Sequence, residues 1–128
     1  MKAENTKRNK ATHLRKEHSQ WRDTNFLEKK GFFPIFTDFK KVLPSLSGGA
    51  VSLFVYLGLH SNNQTGECFH SIAKISNFFN KSPRTISAWF SELENVGLVK
   101  RIQLEMNGPS HTFIRPYEHL ENDSDLDQ

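Results

Sequence analysis

The stretch from Phe69 to Leu98, FHSIAKISNFFNKSPRTISAWFSELENVGL, constrains this chain more than any other. It reads as two helices joined by a tight turn. Ser71 is placed to cap the first helix, because its hydroxyl can accept from the orphan amide N–H groups of the opening turn. Ile72, Ile75, Phe78 and Phe79 then recur at helical spacing and give that helix one apolar side. Asn80 and Lys81 break the pattern, and Asn tolerates the positive φ at which helices end. Ser82 with Pro83 restarts a helix, with a hydroxyl at the N-cap and a proline at the first helical position, where its missing N–H is no loss. Ile86, Phe90 and Leu93, with Trp89, line the inward stripe, leaving Arg84, Thr85, Ser87, Ala88 and Ser91 to face elsewhere. Gly97 stops the second helix, and Leu98 and Val99 begin a strand. Two short helices across a tight turn form the layout that presents its second, recognition helix to the DNA major groove.

The flanking segments extend this into a domain. Leu46-Ser47-Gly48-Gly49-Ala50-Val51 opens an earlier helix, with Ser47 as N-cap and Leu46 meeting Val51 across it as a hydrophobic staple. Val51, Phe54, Val55, Gly58 and Leu59 mark its expected buried side, and it should end near Ser61. The polar loop Asn62–Gly66 leads to a short strand over Glu67–His70. Beyond the recognition helix, Leu98–Glu105 alternates as a strand, Asn107-Gly108 signals a hairpin turn, and His111–Tyr117 supplies the return strand. The expected fold class is mainly α with a small β-hairpin, a winged helix-turn-helix.

These residues resemble the helix-turn-helix of bacterial winged-helix DNA-binding proteins. That family reads Ile-x-x-Leu-Ala-x-x-Leu-Gly-x-Ser-x-Arg-Thr-Val, followed by a helix ending in Leu-Glu-x-x-Gly-Leu-Ile. Here Ile72, Ile75, Phe79, Ser82, Arg84, Thr85, Ile86, Leu93, Glu94, Gly97, Leu98 and Val99 fall at the matching positions without a gap. Ser76 replaces the usual Ala, and Asn80 the usual turn Gly. Ala88 and Trp89 stand where many relatives have Arg and a small residue, which removes one base-reading arginine. The apolar leader FPIFTDFKKVLPSLSGGAVSLFVYLGLHS is similar, as a pattern, to small plasmid and phage replication proteins. The resemblance implies sequence-specific binding of double-stranded DNA as a homodimer, in transcription regulation or in replication and maintenance of a mobile element. An interaction module that recruits replication or conjugation partners is the other class of function carried forward.

The residues suited to that contact are Lys81, Ser82, Arg84, Thr85, Ser87, Ala88 and Ser91 on the turn and recognition helix, with Lys100, Arg101 and Arg115 on the wing. The hydroxyls and amides at the helix N-terminus, Ser82 and Thr85 among them, suit phosphate, as does Lys81. Arg84 is the candidate for a bidentate contact to guanine O6 and N7. Ser87 and Ala88 are short enough to let a base edge or thymine methyl approach. Trp89 is read as core.

With 128 residues the chain holds one domain's worth of core. We divide it into a basic, flexible arm over 1–20 with partial helix at most, a domain with its apolar leader over 21–117, and an acidic flexible tail over 118–128. Residues 1–22 carry seven Lys and Arg against Glu4 and Glu17, whereas residues 118–128 carry five acids and no Lys or Arg. The arm is either a solvated tail or a segment that gains order on DNA phosphates. In the leader, Trp21, Phe26, Leu27, Phe32, Phe33, Ile35, Phe36 and Phe39 should pack, on the domain or across a dimer seam. A short helix is expected from about Thr37 to Leu43, with Pro44 ending it. The single Cys68 excludes an internal disulfide and suits a reducing cytoplasm. No apolar run is long enough to span a membrane.

No catalytic site, metal, cofactor or small-molecule substrate is expected. Cys68-Phe69-His70 with His60 lacks established metal-ligand spacing, and Ser47-Gly48-Gly49 lacks the lysine and spacing of a phosphate loop.

Overall fold

The computed structural model describes residues 2–117 and divides into two compact units, one ending at Phe32 and the other beginning at Phe33. The acidic segment 118–128 lies outside the described residues.

The first unit is one long helix, α1 (Lys2–Leu27), followed by a turn. This corrects the expectation of partial helix at most. The sequence from 2 to 27 contains neither Gly nor Pro and is rich in Ala, Lys, Arg, Glu and Leu, which lose little on entering a helix. The helix closes in a Schellman motif, with Lys29 left-handed, its N–H donating to Phe26 O, and Lys30 N–H reaching Asn25 O. Phe32 returns edge-on to Phe26, with ring centroids 5.5 Å apart.

The leader packs less than expected. Trp21, Phe26, Leu27, Phe32, Ile35 and Phe36 are all exposed, Trp21 by 63%. Phe39 is buried and Phe33 half-buried. Isolated apolar side chains are common on protein surfaces, so an aromatic in a polar context does not oblige a partner. The short helix after Phe36 takes the form of two 3-10 turns, Thr37–Lys41 and Leu43–Ser45. Pro44 lies within the second of them, at a position that needs no N–H donor.

The second unit continues with α2 (Gly48–Leu59), β1 (Glu67–Cys68), α3 (Ile72–Phe79), α4 (Pro83–Asn95), β2 (Val99–Gln103) and β3 (Ser110–Ile114). The strands form one antiparallel sheet in the order β1-β3-β2. Glu67 faces Phe113 and Cys68 faces Thr112 across one ladder, and Val99–Gln103 pairs with Ile114–Ser110 across the other. Asn107 is left-handed in the turn that joins β2 to β3. β1 is shorter than the Glu67–His70 expected, and β3 ends at Ile114 rather than Tyr117.

The core gathers Ala50, Leu53, Phe54 and Leu57 of α2, Ile75 of α3, Ile86, Phe90 and Leu93 of α4, and Leu98 and Val99 at the start of β2. Phe54 stacks on Phe39 at 4.9 Å and meets Phe33 and Tyr117 edge-on at 5.6 and 6.4 Å. Tyr117 also accepts the Phe36 N–H through its Oη at 2.6 Å. The expected inner side of α2 is rotated: Leu59 is exposed, Val51 and Val55 are half-buried, and Ala50, Leu53, Tyr56 and Leu57 go inside. α2 is apolar nearly all round, so periodicity cannot fix its rotation. Close packing does: at Gly58 the Phe33 ring lies where a Cβ would stand, and at Gly49 the Trp89 indole does the same.

Beside α2, Tyr56 Oη and His70 Nδ1 are 2.6 Å apart, with the His60 ring 4.6 Å from that of His70. Burial, Lys74 and His60 together hold His70 below the ordinary histidine range. A lowered folded-state pKa means that the folded protein binds fewer protons than the unfolded chain just below that range. The contribution is therefore complete above the unfolded value of about 6.5 and is lost as pH falls toward the folded one. Urea midpoints measured from pH 7.5 to 5 should fall more steeply for the wild type than for His70→Gln. Parallel curves would show that His70 titrates as it does in the unfolded chain.

Candidate nucleic-acid interface

Three capping arrangements fix α3 and α4 against each other. Ser71 Oγ accepts from Lys74 N–H and Ser82 Oγ from Thr85 N–H, each at 3.1 Å, so both helices begin on side-chain caps as their sequences predict. Between them Asn80 is left-handed at φ 54° and ψ 47°, with Asn80 N–H donating to Asn77 O and Lys81 N–H to Ser76 O. The Ser76 hydroxyl also donates to Lys81 O. Ser76, which stands at the Ala position of the resemblance, thus ties the turn to α3. α4 ends with Gly97 at φ 81° and Leu98 N–H reaching Leu93 O, which turns the chain directly into β2.

α4 buries Ile86, Phe90 and Leu93 and leaves Pro83, Arg84, Ser87, Ala88 and Ser91 exposed, as the spacing implies. Thr85 and Trp89 are half-buried. Trp89 packs edge-on to Phe79 at 5.5 Å and over Gly49 of α2, which bears out its reading as core. A bulky residue is accommodated here because Gly49 has no side chain. From Asn80 to Ser91 the exposed surface carries Lys81 and Arg84 and no acid.

The Ser82 and Thr85 hydroxyls are 3.0 Å apart in addition to the cap. One of their two protons lies between them, so a single hydroxyl proton remains to donate outward, fewer than a reading of two independent phosphate donors needs. Ser91 Oγ donates back to Ser87 O at 3.1 Å, a local bond that keeps this hydroxyl against its own helix.

The wing residues divide. Lys100 is exposed. Arg101 is half-buried, with its guanidinium carbon 4.4 Å from the centroid of the Phe90 ring. Burial lowers its proton affinity and Glu94 partly restores it. Arg101 thus packs against the inner side of α4 through a cation–π contact. Arg115 is half-buried just beyond β3, with its N–H donating to Leu98 O. At the wing tip Leu104 and Met106 are exposed, Met106 by 93%. No Lys or Arg lies between Gln103 and Pro109.

Sequence reading missed Glu92. Its carboxylate accepts from Ser47 N–H at 2.8 Å and Ser47 Oγ–H at 2.6 Å, while Ser47 Oγ accepts from Ala50 N–H. These bonds hold Glu92 below the usual carboxylate range. They pin the recognition helix to the start of α2 by completing its cap from a different element. The signal is a capping box whose acid lies 45 residues away, so local spacing cannot reveal it.

Cys68 is buried and burial pushes its thiol up, away from nucleophile behaviour. Among the described residues no group of three His, Cys, Asp or Glu is placed to hold a metal ion. Among them, too, no helix is long and apolar enough to cross a membrane.

Residues 45–99 match the family described as a helix-turn-helix domain. This segment is similar to helix-turn-helix domains. Such domains bind DNA, and the match spans α2, β1, α3 and α4 and ends at the first residue of β2. The β2–β3 hairpin that follows completes the winged form of the fold. Searches of curated proteins and of solved structures returned no match.

Proposed function

We propose that the chain is a sequence-specific double-stranded DNA-binding protein of winged-helix type. In this reading it acts as a homodimer in the cytoplasm and regulates transcription, or replication and maintenance, of a mobile element. The observation that carries the reading is the exposed side of α4. It is acid-free from Asn80 to Ser91, carries Lys81 and Arg84, and is otherwise made of short side chains that let a rigid helix approach base edges closely. The cap on Ser82, the left-handed turn at Asn80 and the Glu92 tie hold that helix in place, so little ordering accompanies contact.

Arg84 is exposed with no hydrogen bond or ion pair recorded among the described residues, and we assign it direct base readout. Arg84→Ala should weaken binding to a selected site by about 1–3 kcal/mol and relax preference at one base position. Binding selection from random duplexes, run on wild type and variant, measures this. An equal loss on every sequence would reassign Arg84 to phosphate.

Dimerisation follows from the few bases one helix can read, with half-sites about one turn apart as the usual remedy. Exposed Leu59 and Phe78 supply apolar surface suited to such a seam. The wing tip favours the alternative of a protein-docking module at that end, since Leu104 and Met106 are exposed without a neighbouring base. Salt separates the two readings, because binding through several phosphates falls steeply from low to moderate salt.

A further inference from the structure

The helix α1 distributes its charge unevenly. At about 100° per residue, Lys7, Arg8, Lys10, Arg15 and Arg22 fall within roughly 160° of arc. Glu4 is the only acid on that side. Asp23 and Lys16 lie outside that arc, and Glu17 lies about 20° beyond its edge at Lys10. Arg8, Arg15 and Arg22 are seven residues apart and so recur about every 10.5 Å along one line. All of these bases are exposed. Lys7, Arg8, Lys10 and Arg15 make no ion pair among the described residues, and Arg22 meets only its neighbour Asp23, at 3.5 Å. Glu17 is turned to His13 at 3.7 Å, away from the arginine line.

We infer that this side of α1 is a second DNA-contacting surface, which binds the phosphate backbone of a duplex without reading its sequence. The charge arrangement is complementary to a polyanion and gives no basis for base discrimination on its own. An anionic membrane is a poorer fit. Leu14 and Trp21 share the arc with the bases instead of forming an apolar side opposite them, whereas membrane-surface helices separate the two. The inference goes beyond base readout by α4 and does not require it; only the choice of a duplex as ligand rests on the neighbouring helix-turn-helix domain.

The test uses the full chain with Arg8, Arg15 and Arg22 all replaced by Gln, which preserves helix propensity. A second variant carries Lys at the same positions and keeps the charge. Binding to a random-sequence 40-base-pair duplex is followed by anisotropy across a salt series, and helix content by circular dichroism. The Gln variant should lose at least tenfold in affinity at low salt, equally on all sequences. Its plot of log K against log salt should be shallower by about 2–3 units, while the Lys variant keeps the wild-type slope. Unchanged slope and affinity in the Gln variant would overturn the inference, as would a loss confined to one sequence. Binding of phosphatidylserine vesicles as tightly as duplex, abolished by the Gln replacements, would overturn it in favour of a membrane. Arg84→Ala measured in parallel separates the two surfaces: if it is silent while the Gln variant is weakened, base readout by α4 fails and the α1 surface stands.

Discussion

Phe54→Ala is expected to destabilise the second unit by about 3–5 kcal/mol, the range for removing a large aromatic from a well-packed core. Phe54 is fully buried and is the ring on which Phe33, Phe39 and Tyr117 converge. It therefore joins the segment before α2 to the residues after β3. Small domains have only about 5–15 kcal/mol of stability in total, so the variant should be close to unfolded at room temperature. Urea denaturation followed by circular dichroism gives the value. A loss below about 1.5 kcal/mol, the range of a volume-conserving swap, would mean that this aromatic cluster is not the centre of the core.

The second large effect concerns binding and leaves the fold alone. Ser87→Asp with Ala88→Asp adds two negative charges to the exposed side of α4, where neither side chain contributes to the core. Like-charge juxtaposition at an interface costs several kcal/mol, so DNA affinity should fall by at least about 100-fold. The thermal midpoint should change little, since Asp inside an exposed helix costs only a few tenths of a kcal/mol per residue relative to Ser or Ala. Loss of binding together with loss of folding would leave α4 unassigned. Retained affinity in a folded variant would move the contact elsewhere.

The helix-turn-helix was legible because its determinants are local. Ser71, Asn80, Ser82, Pro83 and Gly97 act on backbone groups within a turn of themselves, and each does in the fold what its position implies. The inward stripe of α4 was readable because polar and apolar residues alternate cleanly along it. α2 lacks that contrast, and its rotation depends on two glycines that admit rings from distant segments, Phe33 and Trp89. The long α1 was hidden by its composition. A strongly charged, weakly apolar segment satisfies the description of a solvated tail as well as that of a helix, and the absence of Gly and Pro together with its helix-forming residues is what favours the helix.

Within the interface, sequence could nominate residue types but could not rank them. Arg101 and Lys100 are adjacent in a strand and so point to opposite sides of the sheet, and the pleat alone sends one inward over Phe90. Ser82, Thr85 and Ser91 were nominated for their hydroxyls, yet each hydroxyl first satisfies a partner within its own helix. Arg84, the short side chains of Ser87 and Ala88, Lys81 in the turn and the one outward hydroxyl proton of the Ser82–Thr85 pair make up the outward chemistry here. Glu92 was invisible for the opposite reason, as its partner Ser47 is remote in sequence.

The most direct measurement is an amide chemical-shift map of the full chain titrated with a selected duplex. The account predicts that the largest perturbations fall on Lys81–Ser91, with a smaller set along α1 and at Lys100. Perturbations confined to α2, α3 and the wing tip, with Lys81–Ser91 unmoved at saturation, would contradict it.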